Sequence, residues 1–263
     1  LGGKAGGIKV RLRNGYLAET YGFQLTPRFK FARRIVPLFF PRHRIAFDTS
    51  VRHLPLPHRG ARLLDVGCGR GDYLVHARGL GWDVTGIELD LGAAELARGQ
   101  GIQVVPRPLA EGGFASGWFD AVTMNHVIEH FHDPWAALGE TLRILKPGGL
   151  LWISTPNIDS PLHRRFGQSW RGLEAPRHLV LFCRTALRNL LRDAGFTRIS
   201  WPRMYPLTRW MLDNSRTDQG STPSGAGPLT NLDIRLLELG SMLTQRLSEQ
   251  LVVLAAKPGV TQR

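Results

Sequence analysis

The heptapeptide Asp65-Val66-Gly67-Cys68-Gly69-Arg70-Gly71 constrains this chain more than any other stretch. It comes after the apolar pair Leu63-Leu64 and precedes a run that reads as a helix from Asp72. A strand, a glycine-rich turn and a helix in that order form a loop whose backbone can come close to a ligand, because glycine carries no Cβ and a helix start leaves N–H groups unpaired. Taken alone, such a pattern is as often a tight turn as a site. Its meaning depends on the rest of the chain.

Downstream of the loop the chain alternates regularly between strand and helix signals. Strands are predicted at Arg62–Val66, Asp83–Glu88, Ile102–Val105, Phe119–Met124 and Leu150–Ser154, with helices at Asp72–Leu80 and Leu91–Gln100. A further helix has Asp133 as N-cap, Pro134 in its first turn and Lys146-Pro147-Gly148-Gly149 as its stop. Nearer the carboxyl end, Arg184–Ala194 reads as a helix, Phe196–Trp201 and Leu251–Ala256 as strands, and Asp218–Pro228 as a flexible loop. Leu232, Leu236, Leu239, Leu243 and Leu247 recur at steps of three and four and predict an amphipathic helix. Alternating strands and helices imply crossover connections and a mainly parallel sheet covered on both faces, an α/β, Rossmann-like, doubly wound fold. The expected organisation is an N-terminal flank over residues 1–60, then one domain over 61–263 with an insert at about 202–249.

In such a sheet, ligands sit beyond the carboxyl ends of the strands, where strand order reverses. Seventeen positions after Gly71, Glu88 ends the second strand, where a carboxylate can accept hydrogen bonds from both hydroxyls of a ribose. The glycines fall as G-x-G-x-G, with Asp72 where the third glycine of a dinucleotide fingerprint would stand. The spacing favours an adenosine ligand and disfavours a dehydrogenase.

Together, Leu64 to Gly71, Gly86 and Glu88, Phe119-Asp120-Ala121-Val122, Val127-Ile128-Glu129-His130, Asp133-Pro134 and Leu145 to Leu150 resemble the class I S-adenosylmethionine-dependent methyltransferases from about Ala61 to Phe196. Ser154-Thr155-Pro156-Asn157, Arg177-His178-Leu179 and Phe182 are similar to the branch of ubiquinone-biosynthesis O-methyltransferases and cell-envelope methyltransferases. The resemblance implies a seven-stranded sheet with the last strand antiparallel and S-adenosylmethionine as cofactor. It places Asp65, Gly67 and Gly69 at the methionine end, Glu88 at the ribose and Leu89 at the adenine face, with Gly71, Leu109 and Asn125 as further cofactor-binding residues. Many relatives hold the adenine amine with an Asp after the third strand; here Pro108 stands there, leaving Glu111 or a backbone group as substitute.

Methyl transfer rests on positioning and exclusion of water, and a base is needed only where the acceptor loses a proton. His126, His178 and Asn157 are the candidate catalytic and acceptor-site residues, while Glu129 and His130 are read as structural or gating. No metal is expected, since a zinc set of His126, His130 and His132 requires a convergence that one loop does not guarantee.

The net charge of +13 is concentrated in the flank, where residues 1–60 carry twelve basic side chains against Glu19 and Asp48. Interleaved with aromatics, this segment reads either as a lid over the cofactor or as an element touching a membrane surface, with nucleic acid third. Cys68 and Cys183 are too few for a disulfide scaffold, which suits a cytoplasmic setting. The expected acceptor is a small or lipid-linked molecule methylated on oxygen. The alternatives are an RNA or protein methyltransferase and a non-catalytic binding module.

Overall fold

The computed structural model describes residues 7–203, 205–217 and 229–259. The expected loop at Asp218–Pro228 lies outside them. Seven strands form one sheet: β1 (Arg62–Val66), β2 (Asp83–Ile87), β3 (Gln103–Val105), β4 (Phe119–Asn125), β5 (Leu145–Pro156), β6 (Thr197–Ser200) and β7 (Gln250–Ala256). Their order is β3-β2-β1-β4-β5-β7-β6. β1 pairs in parallel with β2 and β4, and β7 runs antiparallel to both β5 and β6. Order therefore reverses between β1 and β4, as expected for this fold class.

Period-two alternation along the central strands sorts side chains to the two faces. Leu64, Val66, Val122, Met124, Leu151 and Ile153 build the larger core on one face, while Leu63 and Ala121 join the smaller core on the other. The helices covering these faces include α4 (Asp72–Gly79), α5 (Leu91–Gly99), α6 (Pro134–Ile144) and α8 (Arg184–Asp193). Asp133 caps α6 as expected, accepting a hydrogen bond from the Ala136 N–H at 3.0 Å with Pro134 in the first turn. The Lys146-Pro147-Gly148-Gly149 stop is absorbed into β5, which extends back to Leu145, with a register shift opposite Phe119 and Ala121 absorbing the irregular residues. Asp120, a residue shared with the resembled family, accepts from Lys146 Nζ and from the Arg62 N–H, each at 2.8 Å, and so ties three strands together at the end remote from the loop.

The flank contains three helices, α1 (Ile8–Tyr21), α2 (Ala32–Phe39) and α3 (Pro41–Ser50), around their own apolar cluster of Tyr16, Leu17, Phe23, Val36 and Phe47. A second small lobe forms beyond the carboxyl ends of the strands. It joins α7 (Pro161–Phe166), α9 (Thr208–Thr217) and α10 (Asn231–Leu243) around Leu162, Phe166, Trp170, Met211, Leu212 and Ile234. This lobe draws on the chain after β5 as well as on the expected insert. Among the described residues no helix is long and apolar enough to cross a membrane.

Candidate active site

The glycine loop runs from the end of β1 to α4, and its three glycines all have positive φ. They do different work. A Cβ on Gly67 would meet a Val127 methyl at 2.5 Å, so the glycine admits the neighbouring loop. A Cβ on Gly71 would stand 3.0 Å from that of Ala97, so this glycine starts α4 and lets α5 pack against it. Gly71 is therefore accounted for by helix packing. At Gly69 a Cβ would meet nothing within 4 Å, which leaves space above the backbone at the switch point. The Glu88 carboxylate borders that space. It accepts from the Gly69 N–H at 2.8 Å and the Asp90 N–H at 2.9 Å, and its remaining lone pairs can take ribose hydroxyls. Leu89 is exposed beside it, whereas Leu109 is buried in the core and can offer a cofactor its backbone rather than its side chain.

Asp65 is engaged by groups of the protein itself. It shares the sheet face of Leu63, and its carboxylate forms a buried ion pair with Arg52 and accepts from Thr123 Oγ1 at 2.7 Å. The Arg52 guanidinium in turn lies over Tyr73, 3.4 Å from the ring centroid. Burial pushes the Asp65 carboxyl up, with Arg52 and Thr123 opposing it. Read as one more surface arginine of the flank, Arg52 gave no local signal of this role.

A cleft of about 400 Å³ opens where β4 and β5 end and β7 begins, lined by His126, Pro156, His178, Trp210, Met211 and Gln250 among others. His126 comes directly after β4 with φ of 54°, a left-handed conformation uncommon for a residue with a Cβ and frequent at functional sites. Its Nδ1 is 3.2 Å from Glu129 Oε1 and its Nε2 is 3.0 Å from Gln250 Oε1. Burial opposes charge on this ring, yet the bonds to Glu129 and Gln250 and the carboxylate's charge raise its pKa above the ordinary histidine value. Both ring nitrogens of His126 thus face an oxygen, Nδ1 the Glu129 carboxylate and Nε2 the Gln250 amide.

His178 is held in a similar way. Its Nδ1 donates to the Gly172 carbonyl at 2.8 Å, and its Nε2 lies 3.2 Å from Glu174 Oε2 and 4.0 Å from Glu129 Oε1. His130 likewise donates from Nδ1 to the Arg177 carbonyl at 2.8 Å. The donor atoms of Glu129, His130 and His178 lie within 4.8 Å of one another, a set that can hold a divalent cation, whereas His132 is exposed and outside it. Asn157 is buried scaffold: its amide donates to the carbonyls of Ser248 at 2.8 Å and Gln245 at 3.4 Å, and its oxygen caps the Asp159 N–H. Asn125 ends β4, exposed, next to His126. Glu129, Glu174, Gln250 and Trp210 were not singled out for the acceptor side from the sequence. Only Glu129 carried a signal, its place in the Val127-Ile128-Glu129-His130 motif.

Residues 39–200 match the methyltransferase domain family. The chain belongs to that family. Over 105 residues this methyltransferase is 42% identical to a ubiquinone biosynthesis O-methyltransferase of Xanthomonas oryzae pv. oryzae, a match covering 37% of the chain and 44% of the relative. It is 39% identical over 111 residues to the enzyme of that name from Caulobacter vibrioides, covering 38% and 43%. The chain thus spans less than half the length of these curated relatives. Solved structures share the class I fold of S-adenosylmethionine-dependent methyltransferases. One from Archaeoglobus fulgidus aligns at TM-score 0.56 and 18% identity, covering 87% of this chain and all of that one. A phosphoethanolamine N-methyltransferase 2 of Haemonchus contortus, solved with S-adenosyl-L-methionine, aligns at TM-score 0.57 and 19% identity, covering 84% and 53%. The open space at Gly69 and the carboxylate of Glu88 fit that cofactor's nucleoside.

Proposed function

We propose that this methyltransferase transfers a methyl group from S-adenosylmethionine to an oxygen of a small or lipid-linked acceptor bound in the cleft beside His178. The observation that carries this reading is the position of that ring, fixed through Nδ1 by a backbone carbonyl, with Nε2 in the cleft at the carboxyl ends of the strands. The name shared by the curated relatives supports oxygen as the receiving atom.

Gly67, Gly69 and Glu88 would hold the cofactor, which when bound supplies a methyl on a sulfonium for in-line displacement. An acceptor hydroxyl bound in the cleft gives its proton to the paired side chains of His178 and Glu174 as its oxygen attacks the methyl carbon. Glu174 and Glu129 stabilise the resulting imidazolium by proximity. His126, held by Gln250, fixes the Glu129 carboxylate beside His178. Pro156, Leu207, Trp210 and Met211 give the cleft apolar walls suited to excluding water and to an aromatic or isoprenoid acceptor.

The test is methyl transfer from labelled S-adenosylmethionine to catechol-type phenols carrying an apolar tail. His178→Asn should lower kcat by roughly 100-fold or more. Transfer to amines or RNA in preference to phenols, or a His178→Asn variant of unchanged kcat, would contradict the proposal.

A further inference from the structure

The leucine stripe of α10 faces outward. Leu232, Leu236, Leu239 and Leu243 fall on one side of the helix and are 65%, 57%, 52% and 74% exposed, while Ile234, Leu237 and Met242 bury the other side. A helix apolar on both sides is built to be covered on both. A second exposed apolar set stands nearby. Leu38 and Phe39 at the end of α2 are 73% and 67% exposed, and Arg42, just beyond them, pairs with Glu238 in the middle of α10 at 2.6 Å. Between them lies a hollow of about 560 Å³ lined by Arg42, Arg209, Arg235, Glu238 and Leu239. Three arginines face one carboxylate there, and that carboxylate is already engaged by Arg42.

We propose that α10 and the end of α2 form a docking surface for an anionic lipid bilayer, with the arginine hollow receiving a lipid headgroup phosphate. Charge selects the occupant. A two-fold pairing of this face with a second copy would set arginines against arginines. RNA would satisfy the arginines and gain nothing from four aligned leucines, whereas an anionic bilayer answers both features, apolar side chains entering the acyl boundary as arginines meet phosphates. The placement has a consequence for the cleft. α9 contributes Arg209 to the hollow and Trp210 and Met211 to the cleft wall, so a docked bilayer lies at the cleft's mouth. Docking does not depend on the acceptor proposed above and is measured without one.

The experiment is co-sedimentation of the full chain with phosphatidylcholine vesicles, with and without phosphatidylglycerol. Wild-type protein should pellet with the anionic vesicles only, and added salt should weaken binding. Leu236→Ser/Leu239→Ser and Arg235→Glu should each lower partitioning by roughly tenfold. Both sets of side chains are exposed, so circular dichroism and calorimetric binding of S-adenosylmethionine should match wild type. The proposal is overturned by failure to pellet with anionic vesicles, or by pelleting that both variants leave unchanged. It is equally overturned if wild type elutes as a dimer that the leucine variant dissociates while vesicle binding persists, or if an RNA duplex binds at Arg235 without need of the leucines.

Discussion

Arg52 and Asp65 form an ion pair sealed between the N-terminal helices and the face of the sheet, with Thr123 donating to the same carboxylate. Through this contact the basic flank is anchored directly beneath the glycine loop. Taking two charges out of water is costly, and removing one partner leaves the other buried and unpaired.

Arg52→Met should accordingly destabilise the protein by about 3–5 kcal/mol in urea unfolding. The double variant Arg52→Met/Asp65→Leu should recover most of that loss, because no orphan charge remains. A double variant no more stable than the single one would show that the pair is not the source of the effect.

The three glycines of the loop should respond unequally to alanine. Gly69→Ala carries a left-handed backbone cost of roughly 1–2 kcal/mol, folds, and loses cofactor affinity because its Cβ enters the open space at the switch point. Gly71→Ala pushes α4 away from Ala97 and should show as a lower Tm more than as weaker binding. Thermal denaturation and calorimetric titration of both variants separate the roles, and equal loss of affinity in both would contradict the division.

Much of the fold was legible in the sequence. The β1 bounds, the strand and helix order, the Asp133 cap and the position of Glu88 rest on short-range patterns: alternation, capping chemistry and a turn that only glycine makes easily. The acceptor side was not legible in the same way. Its cleft unites Gly172, Glu174, His178, Trp210 and Gln250, which meet only after the sheet and the second lobe have assembled. The bonds of Asn157 were not legible either, because a polar residue just after a strand reads alike whether it faces a ligand or satisfies distant carbonyls. The leucines of α10 showed helical spacing correctly, but periodicity cannot say which of two apolar sides turns inward.

His126 should titrate above the ordinary histidine value of about 6.5 when followed by NMR. Since its folded pKa is raised, its contribution to stability is fully present below the unfolded pKa and is lost as pH rises through the folded value. Glu129→Gln removes the charge that outweighs burial and should bring the titration down. A histidine titrating at or below the ordinary value in the unmodified protein would contradict this reading of the Glu129 and Gln250 contacts.

Glu249 offers a second pH signature, this time in the lobe. Burial pushes its carboxyl up to about 7, while Trp170 Nε1 donates to it at 3.1 Å. A raised acid favours the folded state below its unfolded pKa, and that advantage disappears as pH rises toward 7. Urea unfolding should therefore show a loss of about 3 kcal/mol between pH 4.5 and pH 8 from this group. Glu249→Gln should flatten that part of the profile. An unchanged slope would assign it to other groups.

Calorimetric titration of the chain with S-adenosylmethionine, beside the Glu88→Ala variant, is the most direct check on the cofactor site. Expected is saturable one-site binding to the unmodified protein and at least about tenfold weaker binding to the variant, from lost hydrogen bonds to the ribose. No heat with S-adenosylmethionine, or an affinity that Glu88→Ala leaves unaltered, would contradict the assignment of the cofactor site to the space bounded by Gly69 and Glu88.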